Sequence, residues 1–416
     1  MRPDVPAAAF VPAAPAIPVA TVAALGLTQI IGYGTLYYSF SILAPGMAAD
    51  LGLSVEQVFG VFSASLFVGG LSASFIGRWM DRFGAAMIMT FGSLLSALAL
   101  LMCAWSPSIA VFAASIVLLE VASGMVQYQA AFAALVESRP RAAARSITYL
   151  TLIAGFASTI FWPIAASLGE HFTWREIYVA YAALNLAVCL PLHCWIMRNR
   201  KAQAATSTHE DRAAVVGALP AEARRRGMRL VSLAFALEGF ALSAMLTHMV
   251  PMLGTIGFGT AAVVIASLFG PAQVLSRLIN MAFGKSLSPP ALATLSAGLI
   301  VAAVVVLGLS GTWLPGAAAF AICLGLGSGI NSIAQGSLPL WLFGSVGYGA
   351  ITGRMAATRL AAGATAPFVF SVLMERFGID VALTANALLG AVGVAAFVAV
   401  AALARPVGEQ AARKGG

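Results

Sequence analysis

Charged side chains are scarce in this sequence. Only 9% of its 416 residues are Asp, Glu, Lys or Arg, whereas 60% are hydrophobic and the mean hydropathy is +0.93. Because a soluble domain has about a quarter of its residues charged, this composition excludes a soluble globular protein and indicates an integral membrane protein embedded in a lipid bilayer. The formal net charge of +8 resides in short links between apolar segments, so it reports membrane topology and does not indicate a nucleic-acid partner.

Motifs for catalysis and for metal or nucleotide binding are also missing. The sequence has no His-Glu-x-x-His motif, no phosphate-binding loop and no paired-cysteine pattern, and its four histidines lie in links or toward segment ends. Cys189 and Cys194 are five positions apart and lie on different faces of a helix, which disfavours a disulfide or a metal site. We therefore expect no enzymatic activity, no cofactor and no bound metal.

Long apolar segments fill most of the chain. Each is near the roughly 20 residues that cross about 30 Å of hydrocarbon, and a polar stretch divides them into two sets of six. They fall at 19–47, 56–77, 85–105, 109–136, 146–169, 174–197, 229–254, 261–284, 288–309, 313–342, 350–374 and 380–404. This pattern predicts an all-α membrane protein with twelve transmembrane helices in two six-helix bundles.

The same pattern predicts the domain boundaries. The N-terminal bundle is expected at 19–197 and the C-terminal bundle at 229–404, joined by a cytoplasmic linker at 198–228. A tail at 1–18, rich in proline and alanine, is predicted to be disordered. It is not expected to be a cleaved signal peptide, because the first apolar run is of full spanning length and lacks a short apolar region followed by a cleavage site. A second tail is expected at 405–416.

Lys and Arg are concentrated on alternate links between the segments. The links near 78–82, 139–145, 198–229, 285 and 354, together with both termini, hold nearly all of them. The positive-inside rule therefore predicts that both termini are cytoplasmic. The alanine- and glycine-rich composition and the modest links are typical of a bacterial inner-membrane protein, and we expect it to be a monomer.

Short patterns of the first half recur in the second. Ser65-Leu66-Phe67 returns as Ser267-Leu268-Phe269, and Phe83-Gly84 returns as Phe283-Gly284. Together with the layout of six segments, linker and six segments, these repeats favour two parallel halves with a solute site between them near the membrane midplane.

A charged hairpin, Gly77 to Gly84, joins the second and third segments. Its two terminal glycines allow close helix approach, and Asp81 could cap the following helix or pair with Arg78 or Arg82. The pattern Gly-x-x-x-Asp-Arg-x-Gly resembles the signature between helices 2 and 3 of the major facilitator superfamily, the twelve-helix secondary transporters. That resemblance implies transport by alternating access and a role in conformational gating for Gly77, Asp81, Arg82 and Gly84. The alternative is an ordinary basic cytoplasmic loop.

Four charged residues lie at membrane depth, where charge is costly and usually functional. Glu120 and Glu238 are each about ten residues into a helix, near the midplane. A buried carboxylate favours its protonated form, so both are candidate proton carriers, or else structural partners of a nearby arginine or backbone amide. Arg277 and Arg359 lie at similar depths in helices 8 and 11, and a guanidinium suits a carboxylate substrate. For the arginines the alternatives are salt bridges to Glu238 or Glu120, or extension to the inner membrane surface.

A closer resemblance concerns helices 1 and 8. The run from Tyr37 to Pro45 is similar to helix 1 in bacterial relatives of the monocarboxylate and oxalate:formate transporters. On helix 8 those transporters show Asp-x-x-x-Arg, whose arginine engages the substrate carboxylate. Here Arg277 matches that arginine, while Gln273 stands in place of the aspartate. The resemblance implies that Arg277 binds the substrate.

Other polar residues in the apolar segments are candidates to complete a substrate site. They are Gln29 and Tyr33 on helix 1, which share a face, together with Gln273 on helix 8 and Asn331 and Gln335 on helix 10. Hydrogen bonding between helices is the alternative role for each of them.

Two functions fit these observations. The first is a secondary carrier for a small organic anion, driven by protons or by exchange with a counter-anion. The alternative is a proton-coupled exporter of drugs or toxic compounds, including metalloids. Drug antiporters of the superfamily usually carry Gly-x-x-x-Gly-Pro-x-x-Gly-Gly on helix 5, and the stretch from Gly155 to Gly169 lacks it.

Overall fold

The computed structural model describes residues 17–206, 213–284 and 287–404. Within these residues, twelve helices are long and apolar enough to cross a membrane, which confirms the predicted all-α fold. They are α1 Val19–Leu51, α2 Val55–Phe83, α3 Ala85–Ala104, α4 Ile109–Ser138, α5 Ala143–Gly169, α6 Trp174–Asn199, α7 Ala221–Phe258, α8 Ala261–Phe283, α9 Pro289–Ser310, α10 Leu314–Phe343, α11 Tyr348–Phe377 and α12 Ile379–Leu403. The tail predicted at 405–416, the first sixteen residues of the tail predicted at 1–18, and Lys285 lie outside the described residues.

Several helices are irregular near their middle. A π-helical turn, Gly34–Tyr38, interrupts α1, and another, Asn185–Cys189, interrupts α6. At Gln127 the backbone of α4 leaves the helical region, and α5 breaks between Ala154 and Ala157. Irregular backbone at membrane depth is tolerated where it is enclosed by protein or lines a polar space, and π turns often mark functional sites. The breaks in α1, α4 and α5 therefore indicate that the space enclosed by these helices is a candidate functional site.

The two halves of the protein meet along α2 and α11. A Cβ atom on Gly77 would lie 2.1 Å from the carbonyl oxygen of Gly349, and one on Gly353 would lie 2.5 Å from that of Ala73. In lipid, where no hydrophobic force draws helices together, this backbone contact provides the close packing that joins them. We call the membrane side that holds Gly84 and Gly347 the hairpin side, and the two halves are in contact there.

The residues just before α7 form hydrogen bonds with the end of α10. The N–H groups of Ala218 and Leu219 donate to the carbonyl oxygens of Trp341 (2.9 Å) and Leu342 (3.0 Å), and Arg224 donates to that of Phe343 at 2.8 Å. This pairing ties the linker to the hairpin side of the C-terminal half.

The helices on both sides extend into the stretch predicted as a linker at 198–228. Helix continues after α6 to Thr206, and α7 already begins at Ala221. The hydropathy of the sequence falls at the first arginines, but Ala, Arg and Lys are good helix formers, so both helices extend past the apolar boundary.

On the opposite side, Arg175 fastens the loops of the N-terminal half. Its Nε lies 2.8 Å from a carboxylate oxygen of Asp50, and its Nη1 donates to the carbonyl oxygens of Ala104 (2.7 Å) and Ser106 (3.2 Å). Trp174 donates from Nε1 to the same Asp50 oxygen at 3.1 Å. One guanidinium therefore joins three loops, so this half is expected to move as a unit.

Candidate functional site

Three tyrosines of α1 gather at its π turn. The wider turn places Tyr37 and Tyr38 on the side of Tyr33, with ring centroids 6.1 Å apart for Tyr33 and Tyr38 and 5.4 Å apart for Tyr37 and Tyr38. Tyr37 is 41% exposed although it lies in the middle of a membrane span. Glu120 of α4 and Arg359 of α11, which belong to opposite halves, both lie within electrostatic range of its hydroxyl.

Neighbouring helices extend this group of rings. Tyr128, which follows the break in α4, lies 4.9 Å from Tyr33 between centroids, and Trp162 of α5 lies 5.8 Å from Tyr38. Phe62 of α2 lies 5.8 Å from Tyr37. The N-terminal half thus presents an aromatic wall, which we define as Tyr33, Tyr37, Tyr38, Phe62, Tyr128 and Trp162.

Arg277 of α8 is buried at the contact between the halves. Its side chain is only 4% exposed, so it does not extend to the membrane surface. Its Nε donates to the hydroxyl of Ser332 at 3.2 Å, and its Nη1 is buried without a hydrogen-bond partner. The guanidinium interacts electrostatically with the phenols of Tyr38 and Tyr128, and its tip packs against Gly155 of α5. No carboxylate among the described residues lies within 4 Å of it.

Arg359 of α11 supplies a second guanidinium to the same space. Its methylene groups pack against Gly239 of α7, and it interacts electrostatically with Tyr33, Tyr37 and Glu238. Within the described part of the chain it has no carboxylate within 4 Å. The C-terminal half therefore places two cations opposite the aromatic wall, and neither forms the predicted alternative of a salt bridge to Glu238 or Glu120.

Glu238 of α7 is enclosed by the C-terminal half. Its Oε1 lies 2.5 Å from the hydroxyl oxygen of Ser296, and that hydroxyl lies 3.0 Å from the carbonyl oxygen of Gly327. A hydroxyl has one proton, so Ser296 donates to only one of these oxygens at a time. When it donates to Gly327, Glu238 must be protonated and donate to Ser296. The geometry therefore accommodates a proton on Glu238.

Glu120 of α4 lies in the N-terminal half. It is 7% exposed, packs against Gly69 of α2, and its Oε1 is buried without a hydrogen-bond partner. It also interacts electrostatically with Tyr37. The second candidate proton carrier therefore lies beside the aromatic wall.

The predicted amide residues form hydrogen bonds within the protein. Gln29 donates to the carbonyl oxygen of Val126 at 2.7 Å, and Gln273 donates to the hydroxyl of Ser328 at 2.9 Å. Gln335 donates at 2.9 Å to the side-chain oxygen of Asn331, one turn earlier in α10. These contacts agree with the alternative role of joining helices for Gln29 and Gln273, while the Asn331–Gln335 bond lies within one helix.

The charged hairpin contacts the other half of the protein. The carboxylate of Asp81 accepts hydrogen bonds from the backbone N–H groups of Gly349 (2.8 Å) and Ala350 (2.7 Å), at the N-terminus of α11. The expectation that Asp81 caps the following helix or pairs with a hairpin arginine is wrong, because the first N–H of α3, on Ala85, donates to Glu137 instead at 3.0 Å. Local sequence does not reveal that the N-terminus of α11, 268 positions away, lies nearest to Asp81.

The other predicted gating residues differ in their contacts. Gly77 forms the backbone contact with α11, and Gly84 ends α2 with a φ of 93°, a conformation that favours glycine. Arg82 is exposed and lies over the ring of Phe83, 5.1 Å from its centroid. Asp81 and Gly77 therefore join the halves directly, whereas Arg82 forms no hydrogen bond or ion pair with the described residues of α11.

A separate groove lies on the outer surface of the C-terminal half. It has a volume of about 660 Å³ and lies between α9 and α12, lined by residues such as Leu295, Leu299 and Val394. No charged residue among those that the structure describes lines it, and its apolar lining suits lipid chains. The candidate site is therefore the space between the halves and not this groove.

Six residues at the site were not among the predicted site residues: Tyr37, Tyr38, Phe62, Tyr128, Trp162 and Gly155. The spacing of Tyr33, Tyr37 and Tyr38 could have indicated a shared helix face. Nothing in the sequence around Gly155 indicates that an arginine of α8 packs against it.

The two six-helix halves enclose cationic residues on one side and aromatic residues on the other. This arrangement is typical of a secondary transporter in a membrane. The comparisons agree: a family model described as Major Facilitator Superfamily matches residues 25–367. The chain therefore belongs to the major facilitator superfamily and is a membrane transporter.

Solved structures of the superfamily share the fold. The human organic anion transporter MFSD10 superposes with a TM-score of 0.68 at 17% identity, covering 91% of this chain and 98% of that one. FucP in the outward conformation gives 0.65 at 15% identity, covering 93% and 99%. The proton:xylose symporter XylE bound to 6-bromo-6-deoxy-D-glucose gives 0.66 at 13% identity, covering 90% and 94%. No curated protein sequence matches the chain significantly.

Proposed function

We propose that this transporter is a secondary carrier for a small organic anion, with Arg277 and Arg359 as the cations that bind a carboxylate. The observation that carries the proposal is the buried guanidinium of Arg277, which has one hydrogen bond and no carboxylate within 4 Å among the described residues. Removing one partner of a buried ion pair costs about 3–5 kcal/mol. An anionic substrate between the halves would supply the missing partner.

The aromatic wall fits the same proposal. The phenols of Tyr33, Tyr37 and Tyr38 can donate hydrogen bonds to a carboxylate, and their rings can pack against the apolar part of an organic anion. The resemblance of α1 and Arg277 to monocarboxylate and oxalate:formate transporters favours the same substrate class. MFSD10 is an organic anion transporter, but at 17% identity the likeness concerns the fold, so the proposal rests on the arginines.

Movement of one half against the other would carry the anion across the membrane. In this proposal the hairpin side is cytoplasmic, both termini are cytoplasmic, and the contact of Gly77 and Asp81 with α11 opens and closes that side. The protein acts as a monomer in a bacterial inner membrane. Glu238 and Glu120 would take up and release the coupled proton, unless a counter-anion drives exchange.

Uptake into proteoliposomes tests the role of Arg277. Arg277→Ala is expected to abolish uptake of the cognate carboxylate, because the remaining Arg359 would have to hold the anion alone. The matched control is Arg354→Ala on α11, since Arg354 is exposed and lies toward the hairpin side of Arg359. Normal transport by folded Arg277→Ala protein would contradict the anion proposal.

A further inference from the structure

Gly155 and Arg277 belong to opposite halves and occupy adjoining space. A Cβ atom on Gly155 would lie 2.1 Å from Nη1 of Arg277 and 3.3 Å from its Cζ. The guanidinium tip therefore fills the volume that the side chain of any other residue would need. Gly155 has φ −60° and ψ −21°, ordinary helical values, so its backbone does not require glycine. What requires glycine here is the space for Arg277.

This contact differs from the contacts of Gly77 and Gly325 with the backbone of facing helices. A Cβ on Gly77 or Gly325 would meet a backbone carbonyl of the facing helix, which moves only if the helices separate. A Cβ on Gly155 would meet the end of a flexible charged side chain. An added methyl group at this position would therefore displace the guanidinium, while its 3.2 Å contact with the backbone oxygen of Leu152 requires an adjustment of only a few tenths of an ångström in α5.

The guanidinium is weakly held at its present position. Its one hydrogen bond to a described residue is the 3.2 Å contact from Nε to Ser332, and its buried Nη1 has no partner. The absence of a side chain at Gly155 is thus what allows the charge to lie against α5, within electrostatic range of Tyr38 and Tyr128.

We propose that Gly155 is a positioning residue for anion binding. By leaving space in α5, it allows the Arg277 guanidinium to reach from the C-terminal half to the aromatic wall of the N-terminal half. This inference rests on the proposed function, in which Arg277 binds the substrate carboxylate. One consequence is that anion affinity depends on the relative position of the halves, because movement of α5 away from α8 removes the contact.

The test is carboxylate transport by Gly155→Ala compared with Gly298→Ala, a matched control on α9 where an added Cβ meets no atom within 4 Å. For Gly155→Ala we expect KM to rise about tenfold or more, the loss of a charge-assisted contact, with kcat and melting temperature close to those of the parent. Gly298→Ala should match the parent. An unchanged KM for folded Gly155→Ala would overturn the inference, while inactivity of Arg277→Ala would still support the proposed function.

A second comparison tests whether the effect of Gly155→Ala depends on the Arg277 guanidinium. Lysine lacks the guanidinium nitrogens that occupy the space at Gly155, so adding Gly155→Ala to Arg277→Lys should leave the KM of Arg277→Lys unchanged. If Gly155→Ala raised KM by the same factor in the parent protein and in Arg277→Lys, the inference would be contradicted. Misfolding of both Gly155→Ala proteins would also contradict it, because the methyl group would then clash with the helix and not with Arg277.

Discussion

Replacing Asp81 with asparagine should open the hairpin side of the transporter. The carboxylate accepts two backbone hydrogen bonds from the start of α11, and it also lies at the positive end of that helix dipole. Asparagine keeps the size of the side chain but has only one oxygen to accept these bonds and no charge. Because Asp81 belongs to the N-terminal half and α11 to the C-terminal half, the loss weakens the contact between them.

The magnitude follows from the number and exposure of the bonds. Hydrogen bonds to charged groups contribute about 1.5–3 kcal/mol when protected, and solvent exposure of Asp81 reduces this to about 1–2 kcal/mol in total. A change of that size shifts a two-state equilibrium by roughly 5- to 30-fold. We expect the population with an open hairpin side to rise by that factor.

Spin labels at Arg78 and Arg354 provide the assay, since both residues are exposed, on α2 and α11 respectively. Distance distributions between the two labels should gain a longer component in Asp81→Asn. Arg82→Gln is the matched control, because Arg82 belongs to the same hairpin and forms no hydrogen bond or ion pair with the described residues of α11. An unchanged distribution in Asp81→Asn, or an equal change in Arg82→Gln, would refute this account of the hairpin.

Two further predictions concern coupling and closure. Glu238→Gln or Glu120→Gln should uncouple transport from the pH gradient, measured as uptake driven by an imposed proton gradient; unchanged pH dependence in both variants would indicate exchange or facilitated diffusion. Gly77→Ala should prevent close contact of α2 with α11, because its Cβ would lie 2.1 Å from a backbone oxygen of Gly349, and should lower both transport and melting temperature. A parent-like Gly77→Ala would show that the hairpin side closes by other contacts.

The sequence predicted the fold well because each membrane span leaves a strong local signal. Uninterrupted apolar runs and alternating basic links suffice to place twelve helices, since lipid requires every span to satisfy its own backbone hydrogen bonds. Hydropathy is less informative at the ends of the spans, as at Ala221, where helical structure begins before the apolar segment because the residues there favour a helix.

The candidate site was only partly predictable. Arg277 and Arg359 could be identified because charge at membrane depth is rare. The π turn of α1 could not, because it depends on packing against neighbouring helices such as the ring of Phe161 beside Gly34. The partners of Asp81 and Gly155 are far away in the sequence, and only the folded chain brings them together.

Ligand stabilisation of the detergent-purified protein tests the central claim most directly. Melting temperatures would be measured with small carboxylates, inorganic oxyanions, neutral sugars and cationic drugs, for the parent, Arg277→Ala and Arg354→Ala. We predict that one or more carboxylates raise the melting temperature of the parent and Arg354→Ala and leave that of Arg277→Ala unchanged. Stabilisation by cationic drugs or sugars alone, or equal stabilisation of Arg277→Ala by the carboxylate, would contradict the claim that Arg277 binds an anionic substrate.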